Sequence, residues 1–134
     1  MKTNKYSHET WLKGRSKQRL TVVIPTLNEI AYLPGLLDAL DVQTRLPEEV
    51  IVADAGSTDG TAELAQARGA RVVCGGMPAV GRNAGARAAV GDLIFFLDAD
   101  VLQPPDFIAR SLEEFELKHY DVATCFIAAL DGNP

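Results

Sequence analysis

Two carboxylates one residue apart close an apolar run, Phe95-Phe96-Leu97-Asp98-Ala99-Asp100. In extended backbone alternate side chains share a face, so Asp98 and Asp100 point together and Ala99 points away. Two such acids need a cation or a ligand donor to hold them. Mg²⁺ and Mn²⁺ are hard ions that take carboxylate oxygen and fill their remaining sites with water and substrate phosphate, so the pair suits a metal bridging to a diphosphate. The competing reading is a turn in which Asp98 caps the next segment. A second polar cluster runs Asp54-Ala55-Gly56-Ser57-Thr58-Asp59-Gly60-Thr61. Asp54 stands too far ahead of the following helix to cap it and suits the donor hydrogens of a base edge or a ribose. Ser57, Asp59 and Thr61 have the side chains that satisfy free N–H groups at a helix start. The third cluster is Gly81-Arg82-Asn83-Ala84-Gly85. Gly81, Ala84, Gly85 and Ala88 make a small-residue face that lets a helix lie close on a sheet. Arg82 and Asn83 fall off that face near the helix start, where an anion meets N–H groups, the dipole and a guanidinium fork. No Gly-Lys-Ser/Thr follows, and no Gly-x-Gly-x-x-Gly follows a strand, which argues against a P-loop enzyme and a dinucleotide dehydrogenase.

The elements that position these clusters are legible in the apolar periodicity. Leu20 to Ile24 is a β-branched run stopped by Pro25, a buried strand. Asn28 is placed to cap the next helix, with Glu29 in its first turn. Leu33, Leu36, Leu37 and Leu40 form one helical face, and Pro34 fits only a first turn, so that helix starts near Leu33. Glu49 to Ala53 is a second strand. Thr61 to Arg68 is a helix ended by Gly69. Val72 and Val73 lie in a third strand, followed by Gly75-Gly76, and Ala79 to Val90 is the small-residue helix. Leu93 to Leu97 is strand four. Pro104-Pro105 opens a helix with Ile108, Leu112 and Phe115 inward, and Asp121 to Ala129 reads as a last strand. Strands alternating with helices imply an open, mostly parallel α/β sheet with helices on both faces, in which ligands bind at the carboxyl ends of the strands. The residues just past strands one, two and four therefore converge on one cleft.

In this order and spacing, the set Pro25-Thr26-Leu27-Asn28-Glu29, Val52 to Thr61, Gly81 to Gly85 and Asp98-Ala99-Asp100 resembles family 2 glycosyltransferases of the GT-A fold, from about Leu20 onward. The resemblance implies a nucleotide-diphosphate sugar donor, a divalent Mg²⁺ or Mn²⁺ ion, and inversion at the sugar carbon as the sugar passes to an acceptor hydroxyl on a saccharide or lipid-linked acceptor. It implies that Thr26 and Glu29 lie against the nucleoside, that Asp54 binds the base, that Arg82 sits near the base or diphosphate, and that Asp98 lies near the ribose. Asp100 would ligate the metal, and Pro25, Ser57, Asp59, Asn83 and Ala99 belong to the same donor-binding set. Family members continue well past this point, to a carboxylate that deprotonates the acceptor. Asp121 and Asp131 flank a strand rather than a pocket, so the residues here read as the donor-binding part, incomplete at the C-terminus and inactive alone. Two other readings remain open: a binding module without transfer activity, and a haloacid-dehalogenase-like phosphatase using Asp98 as nucleophile.

Length and charge agree with one domain. The chain has 134 residues, 47% of them hydrophobic and 23% charged, with a net charge of −5. Residues 1–19 form a polar arm carrying six basic side chains against Glu9, so the arm is +5 and residues 20–134 are −10. A body this acidic is a poor match for the phosphates of nucleic acid. The arm is either a solvated tail or a peripheral contact with anionic lipid. No apolar run is long enough to span a bilayer and no signal-peptide core is present, which points to the cytoplasm or the inner face of its membrane. Cys74 and Cys125 form no ligand pattern and read as buried free thiols.

Overall fold

The computed structural model describes residues 18–124. β1 (Leu20–Thr26), β2 (Glu49–Asp54), β3 (Arg71–Cys74) and β4 (Leu93–Phe96) form one parallel sheet in the order β3-β2-β1-β4. α1 (Leu33–Asp41), α2 (Thr61–Ala67), α3 (Pro78–Ala88) and α4 (Phe107–Leu117) alternate with the strands. The strand order reverses between β1 and β4, so a ligand crevice is expected outside the carboxyl ends of those two strands.

The pleat of β1 divides the two layers. Leu20, Val22 and Ile24 pack in one buried cluster with Leu33, Leu36, Leu37 and Leu40 of α1, Ala65 of α2 and Ile108 of α4. Each of the four α1 leucines is at most 5% exposed, and burying such a side chain contributes about 1.5–3 kcal/mol. On the opposite face Val23, Pro25 and Ala53 meet Gly81 and Gly85 of α3. The helices therefore cover both faces, as the alternation predicts. A Cβ built on Gly85 would lie 2.2 Å from Val23 Cγ1, and one on Gly81 3.2 Å from Pro25 Cβ, which is why this helix presents small residues to the sheet.

Several boundaries differ from expectation for identifiable reasons. β1 does not stop at Pro25 but runs through it to Thr26. Its even-numbered residues bond toward β2, as Thr26 C=O accepts Ala55 N–H at 2.9 Å, while its odd-numbered ones bond toward β4, as Val23 C=O accepts Leu97 N–H at 3.0 Å. Pro25 faces the β4 side beyond the last paired residue of that ladder, so its missing N–H costs no ladder bond. Asp54 is the last residue of β2 rather than the first of a loop. α3 starts at Pro78, a residue suited to a first helical turn, and ends at Ala88. Gly69 closes α2 region at φ 87°, the left-handed conformation expected of a helix stop. Phe115 is half-buried and packs edge-on to Tyr120, with ring centroids 6.4 Å apart. Residues 121–124 form no strand, and the rest of the strand expected over Asp121 to Ala129 lies outside the described residues. Cys74 is exposed rather than buried, because it ends the edge strand β3. Cys125, Asp131 and the arm up to Lys17 lie outside the described residues.

Candidate functional site

The loops after β1 and β2 are joined by side chains. Ser57 Oγ accepts the Asn28 N–H at 2.8 Å, Thr61 Oγ1 accepts the Glu29 N–H at 3.0 Å, and Asp59 Oδ2 accepts the Ile30 N–H at 3.1 Å. In return Thr58 N–H donates to Asn28 Oδ1 at 2.9 Å. Asn28 therefore does not cap α1; it sits at φ 53°, in the left-handed region that asparagine tolerates, and ties one loop to the other. The capping role read for Ser57, Asp59 and Thr61 is fulfilled in small part, where Asp59 Oδ1 accepts the Thr61 N–H at 3.0 Å. Their other side-chain bonds divide between the neighbouring loop and partners in their own segment, Asp54 and Asp59. That signal was present in their types, but their partners in the neighbouring loop are some thirty residues away in sequence and only the sheet brings them together.

Asp54 anchors the same junction from below. It is 8% exposed, and its carboxylate accepts Thr26 Oγ1–H at 2.7 Å, Ser57 Oγ–H at 2.6 Å, Ser57 N–H at 2.8 Å and Gly56 N–H at 3.1 Å. Burial alone pushes this carboxyl up. The donors from Ser57, Thr26 and Gly56 outweigh it and hold the group below the usual carboxylate range. A carboxylate has about four acceptor sites, so these four donors occupy the group. Thr26, 4% exposed, is thereby locked against Asp54.

Above this frame lies a group of acids. Glu29 is fixed by its backbone, since its N–H is held by Thr61 and its C=O accepts the N–H groups of Tyr32 (3.0 Å) and Leu33 (2.8 Å), which starts α1. Its carboxyl is held above the ordinary value, first by burial and then by the negative charge of Asp100, Asp59 and Asp98. The strand ends of β1, β2 and β4 thus deliver four acids to one region of negative potential. Asp98 and Asp100 are exposed while Ala99, 4% exposed, is packed in the core cluster, so the alternation of burial holds. But β4 ends at Phe96, and the three residues enter a turn in which Val101 N–H donates to Asp98 C=O at 3.2 Å, rather than extended backbone. Ala99 orients its two neighbours and offers a ligand no side chain.

Facing them from α3, Arg82 pairs with Asp98 at 2.7 Å, with side chains 37% and 48% exposed. Exposed pairs of this kind are worth about 0–1 kcal/mol, so a phosphate and a hydroxyl can replace them at little cost. Asn83 is exposed beside Arg82. Among the described residues no three His, Cys, Asp or Glu side chains are close enough to enclose an ion by themselves. The donor set still fits Mg²⁺ or Mn²⁺: hard, exposed carboxylate oxygen in a field that already raises Glu29, open to the water and phosphate with which such ions complete their shells. Gly75, where β3 ends, contributes by absence, since a Cβ there would lie 2.6 Å from Ala53 C=O. Gln103, 9% exposed, has no partner for either amide atom among the described residues. No helix among the described residues is long and apolar enough to cross a membrane.

Comparison with known proteins places this arrangement. Over 115 residues the chain is 38% identical to the undecaprenyl-phosphate 4-deoxy-4-formamido-L-arabinose transferase of Pseudomonas paraeruginosa, covering 77% of this chain and 34% of that one. Over 103 residues it is 40% identical to the validoxylamine A glucosyltransferase of Streptomyces hygroscopicus subsp. limoneus, covering 69% and 23%. The chain thus spans about a third or less of the length of these curated relatives. Among solved structures, glucosyl-3-phosphoglycerate synthase from Mycobacterium tuberculosis, in complex with Mn²⁺, uridine diphosphate and glucosyl-3-phosphoglycerate, superposes with a TM-score of 0.61 at 28% identity, covering 81% of this chain and 43% of that one. S. aureus TarS (residues 1–349) superposes with a TM-score of 0.66 at 26% identity, covering 75% and 33%. These are GT-A glycosyltransferases, and the fold is the one they share. The model of the family described as "Glycosyl transferase family 2" matches residues 21–134, which leaves the phosphatase reading of Asp98 without support. On that match the chain belongs to glycosyl transferase family 2.

Proposed function

We propose that this chain is the donor-binding part of an inverting glycosyltransferase that holds a nucleotide-diphosphate sugar through a divalent cation and passes the sugar to an acceptor hydroxyl. The observation that carries the reading is the convergence of Glu29, Asp59, Asp98 and Asp100 at the strand ends, with Arg82 opposite. Thr26, Glu29 and Asp54 form the floor against the nucleoside, Pro25, Ser57 and Asp59 shape that floor, Asp98 meets the ribose, and Arg82 with Asn83 meets the diphosphate. Asp100 ligates the ion, Mg²⁺ or Mn²⁺, and Ala99 orients both acids. When bound, such an ion supplies charge neutralisation on the departing diphosphate. Arg82 acts in the same direction, because its guanidinium is released from Asp98 as the ribose takes that carboxylate, and it then faces the oxygens on which charge accumulates. Attack at the sugar carbon requires a base that takes the acceptor proton, and none of the residues assigned here fills that role. Relatives named for undecaprenyl phosphate support a lipid-linked acceptor, which would place the enzyme at the cytoplasmic face of a membrane, where the basic arm of residues 1–19 meets anionic lipid.

Calorimetry with uridine diphosphate tests the donor site. Binding is expected with Mn²⁺ or Mg²⁺ and not in excess chelator, because Asp98 and Asp100 repel an unaccompanied diphosphate. Asp100→Asn is expected to abolish the cation's contribution while leaving the thermal midpoint in place. Equal affinity with and without chelator overturns the reading.

A further inference from the structure

A buried amide is tolerated only when its donors and acceptors are met. Gln43, 5% exposed in the loop after α1, meets its own largely through one distant segment. Its Nε2 donates to Pro104 C=O at 2.8 Å and to Ala39 C=O at 3.1 Å, and its Oε1 accepts the Ile108 N–H at 3.1 Å. The adjacent Thr44 N–H donates to Pro105 C=O at 2.8 Å. Ile108 is the second residue of α4, and its N–H is one of those a helix start leaves without an intrahelical partner. Asp106, at the head of that helix, makes no side-chain cap bond. Gln43 therefore caps α4 from another part of the chain.

What lies between gives this clamp a consequence. Residues 97–106 contain neither helix nor strand and carry Asp98 and Asp100. The segment is fastened at its start by Leu97 N–H on Val23 C=O at 3.0 Å and at its end by Gln43 and Thr44. Beyond β4 the acids are otherwise held by the packing of Ala99 in the core and the exposed Arg82–Asp98 pair, and only the second fastening fixes the backbone that follows Asp100.

We propose that Gln43 is a positioning residue for Asp100: by fixing Pro104 and the head of α4 to the end of α1, it holds the acidic loop in the geometry that receives the cation. The inference rests on the donor-site reading above. Its test compares two quantities in the same protein: affinity for uridine without metal, and the gain in uridine diphosphate affinity on adding Mn²⁺. The hydrogen bonds of Gln43 go to Ala39, Leu40, Pro104 and Ile108 and not to the loops after β1 and β2, so uridine affinity is expected to stay within about twofold in Gln43→Met and Gln43→Glu, whereas loss of a residue that orients a metal ligand typically costs about 10–100-fold in metal affinity. Gln43→Met, which leaves Pro104 C=O and Ile108 N–H bare, is expected to lose about tenfold of the Mn²⁺ gain. Gln43→Glu keeps the acceptor for Ile108 N–H and is expected to lose less; it decides the matter alone if the methionine variant does not fold. An undiminished Mn²⁺ gain in folded variants overturns the proposal, as does an equal fall in uridine and Mn²⁺-dependent binding, which marks a merely structural residue. Absence of any Mn²⁺ gain in the parent chain removes the donor-site reading instead, so the two failures are distinct.

Discussion

Replacing Gly85 with alanine sets two opposing effects against each other, and the structure decides the sign. In a helix interior, glycine to alanine is worth about 1 kcal/mol in favour of alanine, so propensity predicts stabilisation. Here the new methyl would lie 2.2 Å from Val23 Cγ1 and 3.2 Å from Cγ2. Carbon atoms at rest sit about 3.5–4.0 Å apart, so α3 must lift by roughly 1.5 Å or Val23 must leave its rotamer. Val23 is fully buried in the central strand, and a β-branched side chain has few alternatives there. Overpacking of this kind costs about 1–3 kcal/mol, and a contact this short lies at the upper end, about 3 kcal/mol. The net is a destabilisation of about 2 kcal/mol, or about 8 °C in the midpoint of a domain this size. Thermal melts followed by circular dichroism measure it. Gly85→Ala combined with Val23→Ala should be less destabilised than the sum of the two single changes by about 0.5–3 kcal/mol, since the second change removes both clashing methyls. A Gly85→Ala protein as stable as its parent, or strictly additive changes, would refute the close approach of α3 to β1.

Two further outcomes follow from buried polar groups. Asp54, held below the usual carboxylate range, contributes stability that is fully present above the unfolded carboxylate value and is lost as pH falls through its depressed folded value. Asp54→Asn should therefore weaken the fold near neutrality and flatten the acid limb of the stability curve; urea melts from pH 7 downward check it, and an unchanged acid limb would show that Asp54 is not the group responsible. Gln103 buries an amide without partners among the described residues, so Gln103→Leu should raise stability by about 1 kcal/mol, and a lowered melting midpoint would reveal a hidden partner.

The elements that carry the acids were readable from residue type and spacing because each signal is local. The alternating burial of Asp98, Ala99 and Asp100 was expected from extended backbone, and the structure delivers it through a turn just past β4 instead. The α1 face of Leu33, Leu36, Leu37 and Leu40 is a property of helical period, and the close packing of Gly81 and Gly85 follows from their having no Cβ. The strand read over Asp121 to Ala129 is not formed by residues 121–124, and its remainder lies outside the described residues. What spacing does not encode is the partner across the sheet. Ser57, Asp59 and Thr61 look like caps for the helix beside them, yet each also accepts an N–H from the β1–α1 loop, because the parallel pairing of β1 with β2 sets Thr26 beside Asp54 and brings the two loops together. Pro25 looks like a stop until the ladder shows that its missing donor faces no partner. Gln43 carries no local signal, since its meaning lies in Pro104 and Ile108. Local period and steric size determine which elements form and which faces they present. Which side chains meet at the strand ends was decided only by tertiary structure, since the register of β1 against β2 and β4 comes from burying both faces of the sheet at once.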